Sequence, residues 1–154
     1  WYTRGPGNAL DRLARLARGE GAEMIAVAGR DEADLSELEP DERREFMAEL
    51  GIAESSVERL IRAAYRLLGL ITFFTAGPTE VHAWTCRSGD CAPAAAGKIH
   101  TDMETGFIRM EVIRHEDLVE SGSEEAAAKA GKRRLEGKEY QVRDGDVVVV
   151  RFSN

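Results

Sequence analysis

Apolar residues recur with two different periods along this chain, and the period changes near residue 70. Before that point the spacing is helical. Leu10, Leu13, Ala14 and Ala17 share one face, with Arg12, Arg15 and Arg18 turned to water and Gly19 and Gly21 placed to stop the helix. Met24 to Ala28 then gives five apolar residues without alternation, the pattern of a strand buried on both faces of a parallel sheet. A strand needs ladder partners for its backbone groups, and no second run of this kind lies nearby. The segment therefore reads as the tail of an α/β domain whose body lies elsewhere. Pro40 suits the first turn of a helix "PDERREFMAELG", which is expected to bury Phe46, Met47 and Leu50 and to end at Gly51. Ser55 and Glu58 form a capping-box pattern opening a second helix. Its stripe of Val57, Leu60, Ile61, Ala64, Tyr65 and Leu68 is expected to pack in a core.

From Leu70 the pattern is that of strands. "ITFFTA" and "VHAWTCR" flank "GPTE" as a hairpin, "CAPAAAGKI" predicts a short helix, and "GFIRMEVI" a third strand. "HEDLVES" and "SEEAAAKAGKRRLEG" read as helix and loop. "EYQV" and "VVVVRF" flank "RDGD", whose Asp144–Gly145 pair is a hairpin turn signal. The predicted unit is α+β, of β-grasp (ubiquitin-like) type. The chain shows no internal repeat and no low-complexity linker.

Composition removes several function classes. At 154 residues the chain holds one domain comfortably, or one domain with a fragment of another. Hydrophobic residues at 43% and charged residues at 32% are ordinary for a soluble globular protein. A net charge of −7 argues against a wholesale nucleic-acid coat or an anionic-membrane binder, while leaving room for one local basic face. No apolar run approaches the about 20 residues that span a bilayer. The first residue is Trp1 rather than Met, which points to processing or a truncated boundary. Cys86 and Cys91 cannot form a disulfide framework, so a reducing cytosol is the simpler setting.

Little of the sequence builds an active site. The Gly-Lys pairs are followed by Ile99, Arg133 and Glu139, so the chain has no phosphate-cradling G-x-x-x-x-G-K-[ST] loop. Cys86 and Cys91 lack the second ligand pair that a structural zinc site needs. His100 stands between a small-residue helix and a strand, followed by Thr101 and Asp102. It could be a corner residue whose neighbours satisfy local turn amides. It could also be a recognition residue stacking on a nucleobase, or a catalytic base, for which no oriented nucleophile is in sight. Lys129, Lys132, Arg133, Arg134 and Lys138 are the one concentration of positive charge. Basic residues favour helix C-termini; contact with nucleic-acid phosphate is the sharper alternative, weakened by Glu124 and Glu125 nearby.

"AAAGKIHTDMETGFIRMEV" resembles the signature of TGS domains, the β-grasp modules of threonyl-tRNA synthetases, certain GTPases and stringent-response enzymes. With "FFTAGPTEVHAWTCRSG" and "RLEGKEYQVRDGDVVVVRF", nearly the whole chain resembles the C-terminal part of the YchF family, the Obg-like ribosome-associated ATPases. "CRSGDCAP" departs from that family's "LRxGxxAP" loop by its two cysteines. The resemblance implies three parts: residues 1–39 as the end of a P-loop nucleotide-binding G-domain, 40–69 as connecting helices, and 70–154 as a TGS domain. "EGAEMIAVAGR" is similar to the last strand of that G-domain, placing Ala28, Gly29 and Arg30 on the side of the nucleotide base. The P-loop, switch regions and catalytic His of the family lie upstream of these motifs. The resemblance thus implies no cofactor in this chain, and ATP or GTP with Mg in a full-length parent. It further implies a cytoplasmic, non-membrane protein docking on the ribosome, tRNA or rRNA. His100 and Thr101 are expected contacts, since in related stringent factors the His-Thr region approaches the tRNA acceptor end, and Lys132, Arg133 and Arg134 are expected to join them as the local concentration of positive charge. A protein-interaction module without an RNA role is the alternative, because β-grasp folds also bind proteins. An independent enzyme has no supporting motif.

Overall fold

The computed structural model describes residues 9–77 and 80–153, and the chain divides into two compact units, Trp1–Arg66 and Leu67–Asn154.

The first unit is helical where it is regular. Helix α1 (Ala9–Gly19) is followed by an irregular stretch, then α2 (Gly29–Ser36), α3 (Pro40–Glu49) and α4 (Ser56–Leu68), whose last residues run into the second unit. The capping box predicted for α4 is present: Ser55 N–H donates to the Glu58 carboxylate at 2.9 Å, and Glu58 N–H to Ser55 Oγ at 3.2 Å. Gly51, at φ +66°, follows the end of α3 as expected, and α3 has its own capping box between Glu39 and Glu42.

Three expectations fail here. Residues 22–28 form no strand, and Met24 and Val27 are exposed. A strand without a ladder has no partners for its amides and carbonyls, and side chains of α4 hold the segment instead. Arg59 donates to the Ala26 carbonyl at 2.9 Å, and Arg66 pairs with Glu23 at 2.9 Å. The α4 stripe is not a core either. Val57, Leu60 and Ile61 are each more than half exposed, while Ser56 and Ala63 are the buried residues of the helix. Phe46 and Met47 of α3 and its C-cap Leu50 are half-buried rather than enclosed.

The second unit is a five-stranded sheet with helices. Strands β1 (Leu70–Ala76) and β2 (Val81–Arg87) form the predicted antiparallel hairpin, from Leu70 opposite Arg87 to Ala76 opposite Val81. Pro78 and Thr79 of its turn lie outside the described residues. Next come α5 (Ala92–Ile99), α6 (Thr101–Thr105), β3 (Phe107–Arg114), α7 (His115–Ser121), α8 (Glu124–Lys129), β4 (Arg134–Glu136) and β5 (Asp146–Phe152). The strand order is β2-β1-β5-β3-β4, with β5 parallel to β1 and antiparallel to β3. Alternate residues face inward: Phe73, Cys86, Met110, Val112 and Val148 are fully buried with Ala92, Ala95 and Ala96 of α5. Three alanines on one helix face allow it to lie close on the sheet.

The second predicted hairpin does not form. "EYQV" contributes one bridge, Gln141 to Cys91, in place of a strand. Ala92 N–H donates to the Tyr140 carbonyl at 2.8 Å and Val142 N–H to the Asp90 carbonyl at 3.1 Å, so this segment pairs with the start of α5. The Asp144–Gly145 turn also docks elsewhere. Thr72 N–H donates to the Asp144 carboxylate and Gly145 N–H to the Thr72 carbonyl, both at 2.8 Å. The partner strand of the sheet edge is instead "RLE", β4, a stretch expected to be helix and loop. It lies against β3 through Met110–Glu136, Glu111–Leu135 and Val112–Arg134.

Candidate nucleic-acid interface

His100 joins two helices, not a helix and a strand. It closes α5 by donating its N–H to the Ala96 carbonyl at 3.1 Å, and stands in extended backbone (φ −160°, ψ 143°) as N-cap of α6. Its Nδ1 accepts from the Asp102 N–H at 3.2 Å, with the Asp102 carboxylate 3.5 Å away. The accepting Nδ1 assigns the neutral ring's proton to Nε2. His100 therefore satisfies a helix-start amide with its own ring, a task expected of Thr101 and Asp102. The side chain is still 62% exposed, leaving a ring face open to a partner. Thr101 is exposed and opens α6, its carbonyl accepting from Thr105 Oγ1 at 3.2 Å. The turn into β3 needs Gly106, where a Cβ would collide with the Ser153 carbonyl oxygen.

The predicted cations lie beyond α8, each facing an acid. Lys132 pairs with Asp117 at 2.9 Å, a bond that raises the lysine's pKa. Arg133 reaches Glu111 at 3.3 Å. Arg134 opens β4 on the inward face, pairs with Glu136 at 2.8 Å, donates to Tyr140 Oη at 3.1 Å and lies with its guanidinium 5.4 Å from the tyrosine ring centre. No hydrogen bond or ion pair among the described residues joins these cations to His100 or Thr101. Ala28, Gly29 and Arg30 form the N-cap and first turn of α2, with the Ala28 carbonyl accepting from Glu32 N–H at 3.0 Å.

Two groupings escaped the sequence reading. Asp146, fully buried at the start of β5, accepts from Tyr140 Oη at 2.7 Å and from Arg143 N–H at 2.9 Å, with Arg134 4.0 Å from its other oxygen. Burial, reinforced by that bond to Asp146, pushes the Tyr140 phenol up. On the outward sheet face, Glu111 of β3 holds Arg151 of β5 at 2.9 Å and Arg133 at 3.3 Å, one on each carboxylate oxygen. Arg109 lies directly opposite Arg151 in the ladder. Alternation in "GFIRMEVI" places Arg109 and Glu111 on one face; their meeting with Arg151 is a matter of register between strands some 40 residues apart. Among the described residues no group of three or more His, Cys, Asp or Glu is placed to hold a metal ion. No described helix is long and apolar enough to cross a membrane.

The YchF-GTPase_C family profile, described as "Protein of unknown function (DUF933)", matches residues 70–153, which is the whole of the sheet unit from β1 onward. The chain belongs to the YchF-GTPase_C family. Among YchF relatives it is 51% identical over 142 residues to the "Ribosome-binding ATPase YchF" of Bacillus subtilis, covering 92% of this chain and 39% of that protein. It is 47% identical over 133 residues to human "Obg-like ATPase 1", covering 86% of this chain and 33% of that one. The Schizosaccharomyces pombe YchF GTPase structure superposes with a TM-score of 0.82 at 33% identity, covering 94% of this chain and 38% of that one. The chain thus spans about two fifths or less of the length of these YchF and Obg-like relatives.

Proposed function

We propose that this chain is the C-terminal part of a YchF-type ATPase or GTPase, and that its sheet unit is a β-grasp TGS module docking the parent on ribosomal or transfer RNA. One observation carries this reading: the chain is 51% identical over 142 residues to a protein named as a ribosome-binding ATPase, and residues 70–153 of the chain form a unit with its own closed core. The chain's sequence holds no phosphate loop, whose amides and lysine supply most nucleotide binding and charge stabilisation. Nucleotide with Mg, and its hydrolysis, belong in this reading to the missing body of the parent. The uncovered stripe of α4 and the ladderless segment 22–28 are the surfaces that body would complete, with Ala28, Gly29 and Arg30 beside the base. The remainder of the proposed division follows, 1–39 for the G-domain end and 40–69 for connecting helices, in a cytoplasmic protein.

Within the docking surface His100 offers a half-open ring for stacking, an interaction worth about 1–3 kcal/mol per base. Lys132 and Arg133 offer charge that phosphate would have to draw from Asp117 and Glu111. Co-sedimentation with ribosomes across a salt series tests this. His100→Ala, with folding checked by circular dichroism, should weaken binding and leave the salt dependence nearly unchanged. Lys132→Gln with Arg133→Gln should flatten the salt dependence. Arg134 is left intact, because its bonds to Tyr140 and Glu136 also support the fold. Failure of the folded wild-type chain to bind ribosomes at low salt would sink the docking role, and salt-insensitive capture of a protein would favour the interaction-module alternative.

A further inference from the structure

The outward face of β5, β3 and β4 carries an excess of positive charge that the acids around it do not cancel. Glu111 is the single carboxylate of the cluster. With only 12% of its side chain exposed, it has spent one oxygen on Arg133 and the other on Arg151. Arg109, two residues before Glu111 and so on the same face, is exposed and has no hydrogen-bond or ion-pair partner among the described residues. Its ladder neighbour is Arg151, itself 54% exposed. Like charges directly opposite each other in a ladder destabilise a sheet, so this pairing is a feature the fold does not need. Of the acids of α6, Asp102 faces His100, and the Glu104 carboxylate lies close to Gly97 of α5. Leu135, 64% exposed and paired with Glu111 in the β3–β4 register, adds an apolar surface beside the cations.

We infer that Arg109, Arg151 and Arg133, grouped around Glu111, form a binding face for the phosphodiester backbone of RNA. The inference rests on the docking reading above and supplies it with a second contact surface. Planar guanidinium forks match phosphate oxygens in paired hydrogen bonds. Two of them are held here side by side on strands, not on a loop. An acidic peptide is the weaker occupant, because a peptide strand needs a free sheet edge to pair with, and β3 and β5 are interior strands. Arg109 is the primary phosphate ligand, since it breaks nothing to bind. Arg151 follows once phosphate competes with Glu111.

Fluorescence anisotropy of a labelled oligouridine against the full chain, across salt, provides the test, with ribosome co-sedimentation in parallel and poly-glutamate as competitor. Losing two phosphate contacts from single-stranded RNA reduces the log–log salt slope by about 1.4. Between about 50 and 200 mM salt, the affinity loss of Arg109→Gln/Arg151→Gln should therefore be about sevenfold smaller than that of wild type. Arg109→Gln alone, which removes no ion pair, should show half that slope change, about 0.7, and keeps the test open if the double variant unfolds. Glu111→Gln should act in the opposite direction, tightening binding at low salt and steepening the slope. A folded double variant with the wild-type slope overturns the face. If wild type binds ribosomes but not oligouridine, the face falls and the docking reading stands; if it binds neither, both fall. Preferential binding of poly-glutamate assigns the face to an acidic protein and overturns the RNA assignment.

Discussion

The two units use the same amphipathic vocabulary and end with opposite surfaces. In Leu67–Asn154, inward residues of four strands and one face of α5 enclose a core in which Phe73, Met110, Val112, Val148 and the α5 alanines are fully buried. In Trp1–Arg66, the buried apolar residues among those described are Leu35 and Ala63, while Leu13, Leu16, Val57, Leu60 and Ile61 are exposed by half or more. An amphipathic stripe states which face prefers to leave water; whether a covering surface exists in the same chain is a separate matter. At about 25 cal/mol per Å² of apolar surface removed from water, the stripe gains little where it stands.

The largest effect expected from this contrast is a pair of truncations. Phe73→Ala, at a position with no exposure, should destabilise the sheet unit by about 3–5 kcal/mol through lost burial and the cavity left behind. Ile61→Ala, on a side chain 54% exposed, should fall within about 0.5 kcal/mol of wild type. Urea unfolding, followed by hydrogen exchange at amides of β1, β5 and α4, separates the units. A cost at Ile61 comparable to that at Phe73 would mean that α4 buries its stripe in solution, and the contrast would be lost.

Legibility in the sequence follows the same division. Elements whose partners lie close in sequence were readable: the β1–β2 hairpin from its alternation, α5 from its small-residue face, and the α4 start from Ser55 and Glu58. Elements decided by a remote partner were not. "EYQV" carries a strand composition and a good turn after it, yet its backbone bonds go to residues 90–92. "RLE" looks like the end of a helical stretch, and becomes β4 because β3 offers it an open edge. Residues 22–28 show the converse, a strand pattern without a ladder. In the candidate interface, the motif singles out His100, but its role as cap of α6 depends on ring orientation. Lys132, Arg133 and Arg134 look equivalent in sequence and are not so in space, because only Arg134 turns toward Tyr140 and the buried Asp146. The Arg109–Glu111–Arg151 cluster depends on inter-strand register, which no local pattern encodes.

Polar networks give a second, smaller contrast. Tyr140→Phe removes the hydroxyl that donates to buried Asp146 at 2.7 Å and accepts from Arg134 at 3.1 Å. Asp146 Oδ1 already has no hydrogen-bond partner, so the carboxylate would keep only Arg143 N–H. The expected cost is about 1–3 kcal/mol, the range for leaving a buried polar group short of a partner. In the first unit, Arg66→Ala breaks the bidentate pair that holds Glu23 below its ordinary pKa. That pair is open to solvent, and exposed ion pairs contribute little, so the urea midpoint should not move. Equal midpoints for the two variants would show that the Asp146 network is solvated.

The smallest effect expected is a pH dependence confined to the closed unit. Cys86, 2% exposed on β2, has its thiol pushed from 9.0 up to about 11, first by burial and then by the negative charge of Asp90. The raised value means that the fold favours the protonated, neutral thiol. Its contribution is fully present below pH about 9, where the unfolded thiol is also protonated. It is lost as pH rises through about 11, because the unfolded chain releases its proton first. The expected loss across this window is about 1–2 kcal/mol. Tyr140, also raised, adds a similar loss at higher pH, so the comparison must be between wild type and Cys86→Ala. The variant should start lower at neutral pH, where its small cavity acts, and then lose less stability as the solution becomes alkaline. The curves should converge between pH 9 and 11 when read at amides of β1 and β2. Parallel curves would show that Cys86 ionises as freely in the fold as in the unfolded chain, and that this corner of the core is wetter than its burial states.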